Sequence, residues 1–231
     1  MVALRRALHR QPEIGLELPK TQQAVASRLG ELGLEPSLGR SLGSVTALIE
    51  GGLPGPTILL RADMDALPLQ EDTDLDFASE VPGAMHACGH DTHVAMLLGA
   101  AQLLMERRAA LAGRVLLMFQ PGEEGFHGAR FMIDEGLLDT GPESPVTGAF
   151  AIHIGNRYPN GTINLRPGPL MASGDTIRLT VRGRGGHASA PHLAVDPITV
   201  AAHIAVALQT MVTRTVDAFD PAVITIANIS A

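Results

Sequence analysis

The stretch RVLLMFQPGEEG, residues 114–125, decides the fold that the sequence predicts. Residues 114–120 form a nearly continuous apolar run of strand length, and Pro121 and Gly122 end it. Such runs are typical of strands in sheets that are covered on both faces. The acidic residues that follow lie directly after the strand, where α/β proteins usually bind their ligands. We therefore expect an α/β domain with a site at this end of its sheet.

Helical and strand patterns alternate on both sides of this stretch. The predicted helices are residues 3–9, 18–34, 92–108 and 128–136, and the predicted strands are 45–50, 57–61, 114–120 and a buried strand at 148–153. Strands that alternate with helices favour a layered α/β domain, which we place at residues 1–172.

The pattern changes in residues 173–231. Residues 175–182 alternate apolar and polar positions, as in a strand with one solvated face. A helix at 196–214 and a β-rich run at 222–229 follow. This β-α-β order predicts the first half of a smaller α+β domain.

Composition and charge restrict the function classes. The 231 residues are 45% hydrophobic and 18% charged, which is typical of a folded soluble domain. The formal net charge of -7 argues against nucleic acid as a partner. The single cysteine excludes an internal disulfide, and no apolar run approaches the roughly 20 residues of a membrane helix. Without a signal sequence, a cytoplasmic location is expected.

Four polar clusters follow predicted strands or lie in the loops after them. They are Asp63 and Asp65 in RADMDALP (61–68), Cys88 and His90 in MHACGHDTH (85–93), Glu123 and Glu124 in QPGEEG (120–125), and His153 in AIH (151–153). Each cluster alone has an ordinary explanation: a turn, a buried cysteine beside capping residues, a solvated acidic turn, or a structural histidine.

The combination of these residue types favours a metal hydrolase. Thiolate, imidazole and carboxylate are the ligands of divalent transition metals. Two adjacent glutamates allow one carboxylate to bind metal while the other acts as a general base. A fifth feature, the glycine-rich loop RGRGGHASAPH (182–192), could bring His187 close to a substrate oxygen, but its spacing does not fit dinucleotide binding.

The motifs RADMDALP, MHACGHD, QPGEEG and GGHASAPH, with VDP at 195–197, occur in this order along nearly the whole chain. Together they resemble the hippurate hydrolase and auxin-conjugate hydrolase branch of the aminoacylase and carboxypeptidase superfamily. The resemblance implies a layered α/β/α zinc-peptidase-like catalytic domain with an inserted, ferredoxin-like lid and dimerisation domain. It also implies hydrolysis of the amide bond in N-acylated amino acids by a homodimer.

The resemblance assigns roles to individual residues. It implies two divalent metal ions, zinc or manganese, with cobalt and nickel also acceptable. The residues that match metal ligands are Cys88, His90, Glu124 and His153. Asp65 matches a carboxylate that orients a ligand, Glu123 the general base, and His187 a histidine that stabilises the oxyanion across the dimer interface. Asp63 and His86 are expected to be supporting residues.

The resemblance also implies that part of the site is absent. The catalytic domain of this family resumes after the smaller domain and contributes a last histidine ligand, so we expect an N-terminal fragment that is inactive alone. Two alternatives remain. One is a non-catalytic metal-binding domain, which would not need a base beside its ligands. The other is a thiol-dependent enzyme, with Cys88 as the nucleophile and His90 or His93 as the base.

Overall fold

The computed structural model describes residues 1–171 and 173–231. They form two compact units, Met1–Thr162 and Ile163–Ala231. The division between the two units, after Thr162, thus lies before the domain boundary that the sequence suggests at 172/173. Ala172, the last residue of the predicted first domain, lies outside the described residues, and that boundary stays a prediction.

A five-stranded mixed sheet forms the centre of the first unit. Its strands in chain order are β1 (Ser37–Leu38), β2 (Val45–Glu50), β3 (Leu53–Asp63), β4 (Ala112–Gln120) and β5 (Val146–Ala151). The spatial order is β1-β2-β4-β3-β5. The central strand β4 pairs antiparallel with β2 and parallel with β3, and β3 pairs parallel with β5. The predicted α/β class is confirmed.

Helices cover both faces of this sheet. They are α1 (Val2–Arg10), α2 (Pro19–Glu31), α3 (His90–Glu106) and α4 (Gly128–Asp134). Pro19 occupies the first turn of α2, where its missing N–H is not needed. The three longer helices pack on one face, and α4 contributes Met132 to a smaller cluster with β3 and β4 on the other.

The apolar run of β4 is explained by these two cores. Val115, Leu117 and Phe119 point into the larger cluster, whereas Leu116 and Met118 point into the smaller one. Successive side chains of a strand alternate between the faces of a sheet, so a strand that is covered twice needs apolar residues at every position. The prediction from residues 114–120 is therefore confirmed.

The parallel strands β3, β4 and β5 bring three polar segments to the same end of the sheet, where the carboxyl ends of these strands lie. Asp63, the last residue of β3, pairs in register with Gln120, the last residue of β4. Two residues earlier in β3, Arg61 pairs with Ala151, which ends β5. Helix α3 starts at His90. The segments that follow β3, β4 and β5 therefore leave the sheet side by side.

The prediction of a buried strand at 148–153 is wrong in two respects. Strand β5 ends at Ala151, so His153 lies in the following loop. The strand is also mostly exposed, and Phe150 keeps 66% of its surface accessible. Among the described residues β5 pairs with β3 alone, so it lies at an edge of the sheet.

The second unit contains helix α5 (Pro197–Thr215). The Asp196 carboxylate caps its first turn by accepting the N–H of Ile198 at 2.9 Å. The strands predicted at 175–182 and 222–229 are wrong, because neither run pairs with a strand in the part of the chain that the structure describes. Alternation of apolar and polar residues indicates a strand with one apolar face, but it does not show whether a neighbouring strand is available for pairing. No described helix combines the length and the apolar character that crossing a membrane requires.

Candidate metal centre

Potential metal ligands converge where the first unit's strands end. Three groups of side chains each bring their ligand atoms within 4.8 Å of one another, and all three groups share His90. The groups are Cys88–His90–His153, His90–Glu123–Glu124 and Asp63–His90–His93. The four residues that the sequence suggests as ligands (Cys88, His90, Glu124 and His153) thus lie together in one cluster.

Asp65 connects the acidic pair to His90. Its side chain is buried, and its two oxygens accept the backbone N–H groups of Glu123 at 2.9 Å and Glu124 at 3.0 Å. One of these oxygens also lies 3.5 Å from Nδ1 of His90. The other ring nitrogen, Nε2, lies 3.9 Å from each glutamate carboxylate. Asp65 therefore fixes the acidic turn and turns His90 Nε2 towards it.

His90 supplies the fit test for a metal ion. The side chain is 0% exposed, and neither ring nitrogen makes a hydrogen bond within the described structure. Leaving a buried polar atom without a partner costs on the order of 1–3 kcal/mol. Burial lowers the pKa of His90, but Asp65 and Asp63 outweigh it, so the net pKa is raised. A divalent cation would satisfy Nε2 and the surrounding carboxylates, and the N, O and S donor set fits a transition metal.

Cys88 and His153 form the more open side of the cluster. The Cys88 sulfur lies 3.3 Å from Nε2 of His153. Burial, followed by the charges of Glu124 and Asp63, raises the pKa of the Cys88 thiol to about 12. Without a cation this thiol is protonated near neutral pH, which argues against Cys88 as a free nucleophile. A bound metal ion reverses this situation, because a coordinated thiol is deprotonated.

The two glutamates differ in exposure. The Glu123 side chain is 41% exposed, whereas that of Glu124 is 24% exposed. Burial, followed by the charges of Glu124 and Asp63, raises the pKa of Glu123. A carboxylate with a raised pKa is a stronger base for a proton of water. The geometry thus offers one more exposed and one more buried glutamate at the same distance from His90 Nε2.

Two features near the cluster lie outside the predicted ligand set. His86, expected as a supporting residue, is buried, and both of its nitrogens lack hydrogen bonds in the described structure. Burial lowers its pKa to about 4. His93, in the first turn of α3, contacts Asp63 through Nδ1.

Sequence reasoning missed an ionic network that joins α1 to α3. His9 Nδ1 lies 2.8 Å from Asp91, and Arg5 lies 2.7 Å from the same carboxylate. The other nitrogen of His9 lies 3.3 Å from Glu71. His9 and Asp91 are 82 positions apart in the chain, so no local motif connects them. The one available signal was a histidine near the end of an otherwise amphipathic helix.

His187 belongs to the second unit. Its Nδ1 lies 2.8 Å from the Ser189 hydroxyl oxygen and accepts the Ser189 backbone N–H at 3.2 Å. These bonds hold the exposed ring by one nitrogen. The oxyanion role of His187 stays a prediction.

Comparisons with known proteins agree with the family that the motifs suggest. The chain is 44% identical to thermostable carboxypeptidase 1 of Saccharolobus solfataricus, over 99% of this chain and 58% of that protein. It is 40% identical to IAA-amino acid hydrolase ILR1-like 5 of Arabidopsis thaliana, over 99% of this chain and 51% of that protein. The chain therefore spans a little over half the length of these curated relatives.

A solved structure and a family model match as well. The Bacillus subtilis YXEP protein, a dinuclear metal-binding peptidase from the M20 family, superposes with a TM-score of 0.69 and 43% identity. The match covers 73% of this chain and 46% of that one. The model of peptidase family M20/M25/M40 matches residues 59–228, which include all four polar clusters and the glycine-rich loop. The chain belongs to peptidase family M20/M25/M40.

Proposed function

We propose that this chain carries most of the active site of a metal-dependent amidohydrolase that cleaves the amide bond of N-acylated amino acids. The proposal rests on His90: this fully buried imidazole makes no hydrogen bond to the residues that the structure describes, and three groups of metal-ligand side chains share it. Glu123, the more exposed acidic member of one of these groups, is the proposed base. A protein that only binds metal needs the ligands but not the base.

The proposed cofactor is a pair of divalent ions. Cys88, His90, Glu124 and His153 would hold them, with His90 Nε2 as the ligating nitrogen. The description of the YXEP protein as dinuclear supports the number. The thiolate of Cys88 favours zinc, and the carboxylates also accept manganese, cobalt or nickel. A bound ion supplies Lewis-acid polarisation of the amide carbonyl and lowers the pKa of a bound water.

The residues of the chain would supply the proton transfers and the orientation. Glu123 takes a proton from the attacking water and gives it to the amine nitrogen as the carbon–nitrogen bond breaks. Asp65 keeps Glu123 in place through the backbone and orients His90. His187 is proposed to stabilise the oxyanion, within a homodimer formed through the smaller domain.

The names of two relatives support the proposed substrate class. A carboxypeptidase and an IAA-amino acid hydrolase both cleave an amide whose amine product is an amino acid. We infer the same class for this protein: acetylated amino acids, hippurate-like compounds or other amino-acid conjugates.

The test uses the full-length protein. We expect hydrolysis of N-acetyl or N-benzoyl amino acids that a chelator abolishes and added zinc or manganese restores. Glu123→Ala should keep the metal and lose turnover by about 100-fold or more, whereas Glu143→Ala, an exposed control, should match the wild type. Chelator-resistant turnover that Cys88→Ala abolishes would favour the thiol enzyme. Bound metal without turnover of any such amide would favour the metal-binding domain.

A further inference from the structure

His93, in the first turn of α3, uses both of its ring nitrogens. Nδ1 lies 2.5 Å from an oxygen of Asp63, and Nε2 accepts the backbone N–H of Ile154 at 3.0 Å. Because a donor points at Nε2, that atom is the acceptor and the ring proton lies on Nδ1, facing the carboxylate. His93 has no lone pair left for a metal ion, although it belongs to one of the three ligand groups.

The Asp63 end of this contact is anchored to two strands. Its second oxygen lies 2.7 Å from the Arg61 guanidinium, which also donates to the Gln120 side chain at 2.9 Å. Burial raises the pKa of Asp63, but the hydrogen bond from His93 and the charges of His90 and Arg61 outweigh it, so the net pKa is lowered. Asp63 is therefore a fixed carboxylate at the ends of β3 and β4.

The Ile154 end of the contact lies next to His153. Strand β5 ends at Ala151, and the loop beyond it is exposed. His153 donates its Nδ1 proton to the carbonyl oxygen of Ile154 at 2.6 Å, which leaves Nε2 facing Cys88. His93 holds the N–H of Ile154, and Ile154 holds the His153 ring. The rings of His93 and His153 also meet edge to face at 4.7 Å between centroids.

We propose that His93 is a positioning residue and not a ligand: an Asp63–His93–Ile154 clamp sets the orientation in which His153 presents Nε2 to the metal. The inference rests on the proposed role of His153 as a ligand. The clamp joins helix α3 to the otherwise exposed loop after β5, so the ligands on these two segments keep a fixed separation.

Two substitutions separate the two ends of the clamp. Asparagine at position 93 places an N–H near the position of Nδ1, so His93→Asn keeps the Asp63 bond but does not reach Ile154. Glutamine places an oxygen near the position of Nε2, so His93→Gln keeps the bond to the Ile154 N–H that the wild type has and that His93→Asn lacks. The readout is Co²⁺ affinity of the 231-residue chain by calorimetry, together with the thiolate-to-cobalt absorption band of Cys88.

We expect His93→Asn to weaken Co²⁺ binding by about 10–100-fold, the usual effect of losing a group that orients a ligand. His93→Gln should stay within about threefold of the wild type, because the bond that positions Ile154 is kept. His153→Ala should weaken binding at least as much as His93→Asn. The exposed control His203→Asn should bind like the wild type.

The outcomes distinguish the two proposals. Wild-type affinity in His153→Ala removes the ligand role of His153, and the clamp with it. A weakened His153→Ala beside wild-type binding in His93→Asn overturns the clamp alone. Equal losses in His93→Asn and His93→Gln, with both variants folded, also overturn it, because they indicate a direct role of the imidazole. If His93→Asn does not fold, wild-type affinity in His93→Gln supports the clamp and a loss contradicts it.

Discussion

Replacing Asp65 by asparagine changes one oxygen to an amide nitrogen where three site residues meet. The carboxylate accepts the backbone N–H groups of Glu123 and Glu124 at 2.9 and 3.0 Å, and one oxygen lies 3.5 Å from His90 Nδ1. The asparagine side chain has nearly the same shape but only one acceptor. In either orientation its NH2 group faces a backbone N–H, that of Glu123 or that of Glu124.

The expected magnitude follows from these bonds. A hydrogen bond to a charged acceptor is worth about 1.5–3 kcal/mol, and one to a neutral acceptor about 0.5–1.5 kcal/mol. Asp65→Asn loses one bond and turns the other from charged to neutral, which gives a destabilisation of about 3 kcal/mol. For a chain of this size that lowers the melting temperature by roughly 6–12 °C. Metal affinity should fall about 10–100-fold, because the group that orients His90 is altered.

Differential scanning calorimetry and zinc titration calorimetry measure the two effects. The matched control is Asp74→Asn, which makes the same chemical change at an exposed carboxylate in the loop before α3. The control should leave both quantities unchanged. If Asp65→Asn melted like the control and bound zinc like the wild type, Asp65 would neither fix the acidic turn nor orient His90.

Two further predictions concern the surroundings of the site. The hydrogen bond to Asp91 raises the pKa of His9, although burial opposes it, so protonated His9 stabilises the fold below about pH 6.5 and this stability is lost as pH rises through the raised pKa. In urea unfolding of metal-free protein, the difference between wild type and His9→Gln should shrink as pH rises from 6 to 9; a growing difference would contradict the ion pair. Gly89→Ala should cost about 1–2 kcal/mol for its positive φ of 83°, and should also weaken metal binding, because the new Cβ would lie 2.3 Å from Ile154 Cδ1. Gly161→Ala has a similar φ of 80° in open space, so equal metal affinities in both variants would show that the Ile154 contact does not matter.

The part of the fold that follows from local pattern was predictable. Successive side chains of β4 point into two different hydrophobic clusters, one on each face of the sheet. The strand therefore needs an apolar residue at each of these positions, and residues 115–119 supply them. The position of the polar clusters was also predictable, because neighbouring parallel strands place the loops that follow them at the same end of the sheet. The density of ligand-type residues at 85–93 then predicted Cys88 and His90 as ligands, and the adjacent Glu123 and Glu124 suggested a base beside a ligand.

Features that depend on neighbours far along the chain were not predictable. The composition of β5 does not reveal that it has a partner on one side only among the described residues, and so it was expected to be buried. The two-residue strand β1 is too short to produce a pattern. Two contacts join residues that are far apart in the chain: His9 with Asp91, and Asp63 with His93. Their geometry appears only after folding.

Metal retention by the purified 231-residue chain decides whether the proposed metal site exists. After treatment with chelator and dialysis against zinc or manganese, the wild type should retain metal that elemental analysis detects, and His90→Ala should lose it, because His90 is common to every ligand group. Glu123→Ala should retain the metal, since the base is not a ligand in this account. Folded wild-type protein that retains no metal, or a folded His90→Ala variant that retains as much as the wild type, would contradict the proposed site.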